Sequence, residues 1–489
     1  MALQPLDYAV IAVYLAAITA FGSWFARFQH TTRDYFLADR SAPWWAVCFT
    51  IVATETSTLS FIGVPAQAYA GSMVFLQLAL GYVLGRFVIT VLFLPAYFRG
   101  ELVTSYQLLQ QRFGPRAKTT ASAIFLITRS LADGIRLFAT ALVIAVVTGV
   151  PVPWTVVLLG VAMIVYTVRG GAAAVIWTDV VQMFVYLAGA LLVFWALFER
   201  IPGGWAEVVT TAGQAGKFTV LSFSTDPKAV YTLWAGIAGG IAITLATHGT
   251  DQFFVQRLLS ARSRRDAQIG LALSGLVVFA QFALFLVIGA MLYTYYQHVP
   301  APVLTRGDEI LPRFVIDTLS GGPAGFIVAA IVAAALSPSL NAMAATTVND
   351  FYRAYVSPGA TDLDLMRVAR RATIGWGIVQ IAVAYGSQWM GQSVLDAGLS
   401  VLSLAPGPVL GAFVVGVSTR SVGDRAMVGG MAAGIAVLFV VWWFSLTAWT
   451  WYALIGSTVT ACVALFLSRW LPLEADTDGG TLIPSASHR

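Results

Sequence analysis

The chain has 489 residues, of which 58% are hydrophobic and only 10% charged, where a soluble protein carries about 25% charge. Apolar runs of about 18 or more residues recur along its length, which excludes a soluble globular protein and predicts an all-α polytopic membrane protein in a lipid bilayer. The net charge of +5 is no nucleic-acid signal, because the basic residues lie in short loops between the apolar runs.

Cys48 and Cys462 both fall in apolar runs and read as small core residues, not a disulfide framework. The chain holds only two asparagines, Asn341 and Asn349, and neither begins a glycosylation acceptor. Together with the preference for Arg over Lys, this points to a bacterial inner (cell) membrane.

The first apolar run, Tyr8 to Phe25, is long enough to span. No basic residue precedes it, and Arg27 and Arg33 follow, so it reads as a first span entering from outside and not as a cleavable leader. Spans are expected at about 7–26, 43–66, 74–97, 119–148, 152–168, 174–197, 230–250, 270–296, 325–350, 370–390, 395–418, 426–446 and 449–468, about 13 in all. With the N-terminus outside, twenty of the cationic side chains fall in cytoplasmic loops and the C-terminal tail and five in outside loops, so the C-terminus is cytoplasmic. A single transmembrane domain is expected over 1–471, and 472–489 is a polar cytoplasmic tail.

The second span reads FTIVATETSTLSFIGVPAQAY. Glu55 lies in its middle, flanked by Thr54, Thr56, Ser57, Thr58 and Ser60. A carboxylate and five hydroxyls in so short a stretch do not all face lipid, and hydroxyl and β-branched residues weaken the helix locally. The segment predicts a broken helix that exposes carbonyls and helix ends to a cavity, or else a polar seam between helices. Arg86 in the third span reads as half of an internal ion pair or as an anion receptor. The fourth span puts Arg129, Asp133 and Arg136 on one face, with the same two readings.

The sixth span opens with GGAAAVIWTD, Gly170 to Asp179, followed by Gln182. A carboxylate in a span costs roughly 2.5–3.5 kcal/mol on insertion scales and is kept for an ion, a proton or a partner. Asp179 is therefore the first candidate for ion handling. The seventh span ends in LATHGTDQFFVQRLLSARSRRD. Gly239, Gly240, Thr244, Thr247, His248 and Gly249 make it small and polar, which predicts a second discontinuous helix. Asp251, Gln252 and Arg257 read as anchors of its cytoplasmic end. In the ninth span, AAALSPSLNAMAATTVNDFYR, small residues permit close helix approach. Pro338 there frees the Ala334 carbonyl, as a cation ligand or as a simple kink. The sequence offers no phosphate-binding Gly loop, no metal-spaced Cys/His cluster and no nucleophile–base pair, so neither a cofactor nor an enzyme is expected.

These segments together resemble the sodium:solute symporter family, whose members include sodium–glucose, proline, sialic acid, iodide, multivitamin and monocarboxylate transporters. The likeness runs from about Asp7 to Arg469. The GG…AVIWTD…Q and DQ…VQR…A segments are specific when found in this order, and LNAMAATTVNDFY looks most like the iodide, multivitamin and monocarboxylate branch. The resemblance implies two inverted five-helix repeats, about 43–197 and 230–418, and alternating access around a midplane site. It places sodium-binding carbonyls at Ala53 and Thr56. The family's paired Ser/Thr hydroxyls fall on Ala334 and Ala335, so both are missing. A second sodium site carries over to Asp179 and Ser337, with Pro338 at the other hydroxyl position. Substrate positions carry over to Glu55, Ser57 and Ser60, and approximately to Thr244 and Thr247. Glu55 replaces what is usually a neutral polar residue. The substrate-binding Lys of the sugar transporters falls near Val278, so a glucose-type site is not expected.

The sequence is thus read as a secondary symporter that takes up a small polar organic solute. Its ion ligands are expected at Ala53, Thr56, Asp179, Ala334 and Ser337, and its solute contacts at Glu55, Ser57, Ser60, Thr244, Thr247 and Arg129. Na⁺ is the favoured coupling ion. The alternatives are an H⁺ symporter using Glu55, a facilitative uniporter that lost coupling with the two hydroxyls, and a nutrient sensor.

Overall fold

The computed structural model describes residues 4–28, 31–99, 102–304, 306–319, 321–335, 339–389, 404 and 406–471. Among these the chain is helical, and its only extended pairing is an isolated bridge between Ala42 and Ala261. The main helices are α1 (Pro5–Trp24), α2 (Trp44–Glu55), α3 (Thr58–Ala70), α4 (Leu76–Leu92), α5 (Pro115–Thr148), α6 (Val152–Arg200), α7 (Gly240–His248), α8 (Gln252–Leu259), α9 (Arg264–His298), α10 (Pro323–Ala335), α11 (Leu340–Thr346), α12 (Asp362–Ser387), α13 (Pro406–Ser418), α14 (Asp424–Trp443) and α15 (Tyr452–Leu467). Among the described residues six helical spans are long and apolar enough to cross a membrane, or seven if the bent pair α2/α3 counts as one. Most of the other expected spans are present as shorter, kinked or more polar helices, which length and apolarity alone do not capture. The expected span at 395–418 is described only from its later part, and the tail 472–489 lies outside the described residues.

The expected break in the second span is present. The Thr56 N–H bonds the Val52 carbonyl at 2.9 Å and is the last such bond of α2. The chain then leaves the helix, with Thr56 and Ser57 both extended, and restarts at Thr58 with a bend of 63°. Ser57 gives α3 no side-chain cap, so the first N–H groups of α3 are unpaired within the helix. The break is held in place from outside: the Thr58 hydroxyl donates to the Ile331 carbonyl of α10 at 3.0 Å, and Thr140 of α5 donates to the Thr58 hydroxyl at 2.8 Å.

The seventh span also breaks. A π-helical turn, Ala235–Gly239, runs into α7, which ends at His248, and Asp251 then caps α8 by accepting from the Phe253 N–H at 2.8 Å. The expected fifth and sixth spans meet end to end at Gly171, whose φ of 61° and ψ of −173° suit a residue without a Cβ. Between α4 and α7 the backbones touch. A Cβ on Gly81 would collide with the Gly236 carbonyl and the Gly240 Cα, and one on Gly85 would collide with Thr244. Lipid tails supply no hydrophobic drive for helix association, so such small-residue contacts carry it through dispersion.

α2, α3, α10 and α11 form the buried centre, packed against α6 and α9. α1 lies on α6 and α10 and leaves most of its surface exposed, while α13, α14 and α15 pack on one another as an outer group.

Candidate functional site

Glu55 is the last residue of α2. A carboxylate there faces the negative end of the helix dipole, and it is held by Arg86 and His248 from the α4/α7 pair. Arg86 of α4 forms an ion pair with Glu55 through Nη2. His248, the last residue of α7, places Nε2 3.2 Å from Arg86 Nη2 and 3.6 Å from Glu55 Oε2. The other ring nitrogen of His248 lies 2.9 Å from the Thr247 hydroxyl, and the ring stacks on Phe254 at 4.0 Å. Arg86 is fully buried, and its Nε and Nη1 have no hydrogen-bond partner. Ser57 and Ser60 line the start of α3, and Thr244 lies one turn before His248; no described partner engages any of these three hydroxyls. The structure thus places Glu55, Ser57 and Ser60 at the first helix break and Thr244 and Thr247 in the last two turns of α7 before the second, and joins Arg86, His248 and Glu55 in one cluster.

Asp179 lies on α6, fully buried, behind α2. Its Oδ2 accepts from the Thr50 hydroxyl at 2.6 Å, from Arg257 Nη2 at 3.0 Å and Nε at 3.3 Å, and from the Thr54 hydroxyl at 3.4 Å. Its Oδ1 has no partner. Arg257 was read as a cytoplasmic anchor, and its link to Asp179, 78 residues away in the chain, was not foreseen. Gln182 and Tyr186 follow Asp179 at i+3 and i+7 on the same face of α6. Both are buried, both amide atoms of Gln182 are unpaired, and the Tyr186 hydroxyl faces Thr56 without completing a hydrogen bond. The sequence reading named Gln182 only as part of the motif and passed over Tyr186, although the helical spacing from Asp179 carried the signal.

The carbonyls of the last turn of α2, with Ala53 among them, and the carbonyl of Thr56 at the break are freed where the helix ends. Beside Thr56, Gln281 of α9 donates to its hydroxyl at 2.6 Å. Ala334 is placed as backbone near the end of α10, and Ser337 and Pro338 lie outside the described residues.

Arg129 sits apart from the hydroxyls of Ser57, Ser60 and Thr244, within a cluster of charged side chains from α5, α6 and α8. It lies 3.3 Å from Asp133 and 3.6 Å from Asp251. Asp133 also accepts from the Ser339 hydroxyl, to which Gln380 donates at 3.2 Å. Arg136 reaches the Thr54 carbonyl at 3.4 Å. The guanidinium groups of Arg129, Arg136 and Arg257 lie 4.6, 5.9 and 4.4 Å from the centre of the buried Phe253 ring. Three cations around one ring are matched by Asp133, Asp179 and Asp251, which makes the cluster neutral. Among the described residues no group of His, Cys, Asp and Glu is arranged to hold a metal ion by those side chains alone.

The model of the sodium:solute symporter family matches residues 35–449. The human sodium/iodide cotransporter is 29% identical over 486 residues, which cover 94% of this chain and 73% of that one. The sodium/sialic acid symporter NanT of Aliivibrio fischeri is 30% identical, with 97% of this chain and 95% of that one covered. A Na⁺-coupled sialic acid symporter, solved in a substrate-bound outward-open state, superposes with a TM-score of 0.89 at 26% identity, covering 96% of this chain and 99% of that one. Mhp1, a nucleobase-cation-symport-1 family transporter solved in a closed conformation, shares the fold at a TM-score of 0.54 and 14% identity, covering 89% of this chain and 94% of that one.

Proposed function

This chain belongs to the sodium:solute symporter family, and from that premise we propose that it is a secondary active symporter, coupling Na⁺ entry to uptake of a small polar organic solute by alternating access. The observation that carries the reading is the break at Thr56 and Ser57. It leaves α2 carbonyls open on one side and uncapped α3 N–H groups on the other, which suits a cation next to a polar solute. The likeness to a Na⁺-coupled sialic acid symporter over nearly the whole of both chains supports it.

The Na⁺ ligands of this reading are the carbonyls of Ala53, Thr56 and Ala334 at one site, and the unpaired Asp179 Oδ1 with Ser337 at a second. The hard oxygen donors suit Na⁺, and the hydroxyls lost at Ala334 and Ala335 leave the first site to backbone carbonyls. The same reading includes two inverted repeats at about 43–197 and 230–418, a bacterial inner membrane, and an outside N-terminus with a cytoplasmic C-terminus.

A second reading has one observation in its favour. His248 lies beside the Glu55–Arg86 pair, its Nε2 3.6 Å from Glu55, so an imidazole stands next to the carboxylate that H⁺ coupling would use. Uptake into proteoliposomes, with Na⁺ and H⁺ gradients imposed separately, decides. Concentrative uptake is expected under a Na⁺ gradient at fixed pH. Accumulation driven by a pH gradient without Na⁺ refutes sodium coupling, and equilibration without accumulation under either gradient makes the protein a uniporter.

A further inference from the structure

We propose that the pocket between segment 32–40, segment 102–103 and the π-helical turn Thr347–Val356 binds a phosphate-type oxyanion, which clamps the three segments together. The site lies apart from the helix breaks, and binding there does not depend on which solute or coupling ion the protein uses.

The lining is the first observation. The pocket is a cavity of about 130 Å³ whose walls include Thr32, Arg33, Arg40, Asn349 and Arg353. Arg33 is paired with Asp39 at 3.2 Å, so its charge is already met. Arg40 and Arg353 differ from it. Arg40 donates through Nη2 to the Leu102 carbonyl at 3.2 Å, a contact that fixes the guanidinium without neutralising it. Its Nε is buried and has no partner. Arg353 is exposed and has no described partner. The Thr32 hydroxyl donates to Asp362 at 3.2 Å, which puts that acid at the Thr32 side of the rim. Among the described residues the lining itself holds no carboxylate. Guanidinium groups sharing one small cavity repel each other. A dianion between them removes that repulsion, and the planar fork of an Arg meets two oxygens of a tetrahedral phosphate at once.

The backbone that carries Arg40 is the second observation. Ala38, Asp39 and Arg40 have φ of 51°, 48° and 51°, three consecutive left-handed residues of which none is glycine. Such conformations persist only where the surroundings over-determine them, and they gather at ligand clamps and switch regions. Here the left-handed turn ends the short helix Thr32–Leu37 and brings Arg40 to the Leu102 carbonyl.

The third observation is what the walls join. The Thr104 hydroxyl donates to Asp350 at 3.0 Å. The Gln256 amide of α8 donates to the Phe36 carbonyl at 2.7 Å and to Asn341 at 2.9 Å. Three parts of the chain are thus already tied at one seam. On the orientation proposed above they face the cytoplasm, and a route that opens on that side must part them. An oxyanion between Arg40 and Arg353 adds a bridge across the same seam. A ligand shifts an equilibrium only by its differential affinity for the two states, and this site is complete only while the seam is shut.

The binding test needs no transported solute. Thermal unfolding of the purified full-length protein in detergent is followed by tryptophan fluorescence, with sodium phosphate titrated against sodium chloride at fixed Na⁺ concentration and pH. Phosphate should raise the melting temperature and saturate. Phosphate also stabilises proteins generally, through exclusion from their surface, so the variants decide. Arg353→Gln and Arg40→Gln should each weaken the apparent phosphate affinity roughly tenfold or more, and Arg353→Lys should keep part of it. Arg353 is exposed, so its replacement should leave the fold intact and the assay readable even where Arg40→Gln does not fold. A rise that does not saturate, or the same rise in wild type and Arg353→Gln, overturns the site.

Repeating the titration in nanodiscs of phosphatidylcholine and of phosphatidylglycerol assigns the source. A response lost only in phosphatidylglycerol supports the site with a lipid headgroup as its occupant, and a response kept in both supports it with a soluble phosphate. Loss in both overturns it. Hydrogen exchange reads the clamp: phosphate should slow exchange in segments 32–40 and 102–107 of the wild type and leave Arg353→Gln unchanged. Saturable binding with exchange unaltered in both proteins would overturn the clamp. Neither readout uses transport, so failure here is distinct from failure of the symporter reading.

Discussion

Replacing Arg257 by Gln is expected to destabilise the protein sharply, and replacing Asp179 by Asn at the same time should recover much of the loss. In the native site Asp179 Oδ2 is held by Arg257 at 3.0 and 3.3 Å and by the Thr50 and Thr54 hydroxyls at 2.6 and 3.4 Å, while Oδ1 is unpaired. Without Arg257 a buried carboxylate keeps only the two hydroxyl donors. Removing one partner of such a pair costs about 3–5 kcal/mol, because the remaining charge stays uncompensated. The guanidinium also donates to the Phe253 carbonyl at 2.6 Å and lies 4.4 Å from the Phe253 ring centre, contacts that the double variant does not recover. The singles and the double should therefore fail to add by about 1.5–3 kcal/mol. Thermal unfolding in detergent, followed through tryptophan fluorescence with and without Na⁺, measures the cycle. Arg257→Gln should also make the melting temperature more responsive to Na⁺, since it frees Asp179, and Asp179→Asn should abolish that response. Strictly additive losses would refute the pair as the dominant interaction of Asp179, and an identical Na⁺ response in all four proteins would remove Asp179 from the ion site.

Gln182→Leu and Tyr186→Phe should each lower the apparent Na⁺ affinity of uptake without lowering the melting temperature, because the atoms removed have no protein partner to lose; a lower melting temperature with unchanged Na⁺ dependence would assign both to packing. Restoring hydroxyls with Ala334→Ser and Ala335→Ser should raise the apparent Na⁺ affinity and Pro338→Ala should lower it, and an unchanged value in all three variants would place no cation at α10. Asp7 accepts from the Gly322 and Gly325 N–H groups at 2.8 Å each, at the start of α10, so Asp7→Ala should cost about 0.5–2 kcal/mol as the loss of a helix cap, seen as a lower melting temperature with Na⁺ dependence retained.

The broken second span was legible because Thr54 to Ser60 concentrate hydroxyls and β-branched residues around a carboxylate, and local chemistry of that kind acts through the nearest turn. The small residues before His248 gave the second break, though it falls at Gly249 to Asp251 and not at mid-helix. The bend at Gly171 was hidden, since GG before an apolar run reads as a loop between two spans as well as a joint. The partners of Glu55 and Asp179 were out of reach for a different reason. Arg86 and Arg257 stand 31 and 78 residues away from them, and only the packing of α4 and α8 against the break decides which cation meets which acid. Arg129 shows the same limit: its face on α5 was read correctly, but its second acid, Asp251, comes from the α8 cap. Length and apolarity identify fewer spans than the sequence reading did, because helices that carry the buried charges and breaks are shortened or made polar by them.

The contact between α4 and α7 has a mechanical consequence. Where Gly81 meets Gly236 and Gly240, backbone bears on backbone, and there is no intervening side chain to change rotamer and let one helix slide past the other. Arg86 lies one turn beyond that seam on α4 and His248 two turns beyond it on α7, so the guanidinium and the imidazole ride on a single stiff plate with their spacing fixed. Glu55 hangs from the free end of α2, on the other side of the gap. Any motion that parts the two sides stretches the bonds to Glu55 while leaving the Arg86–His248 distance as it was. The triad is built as a latch with one movable tongue.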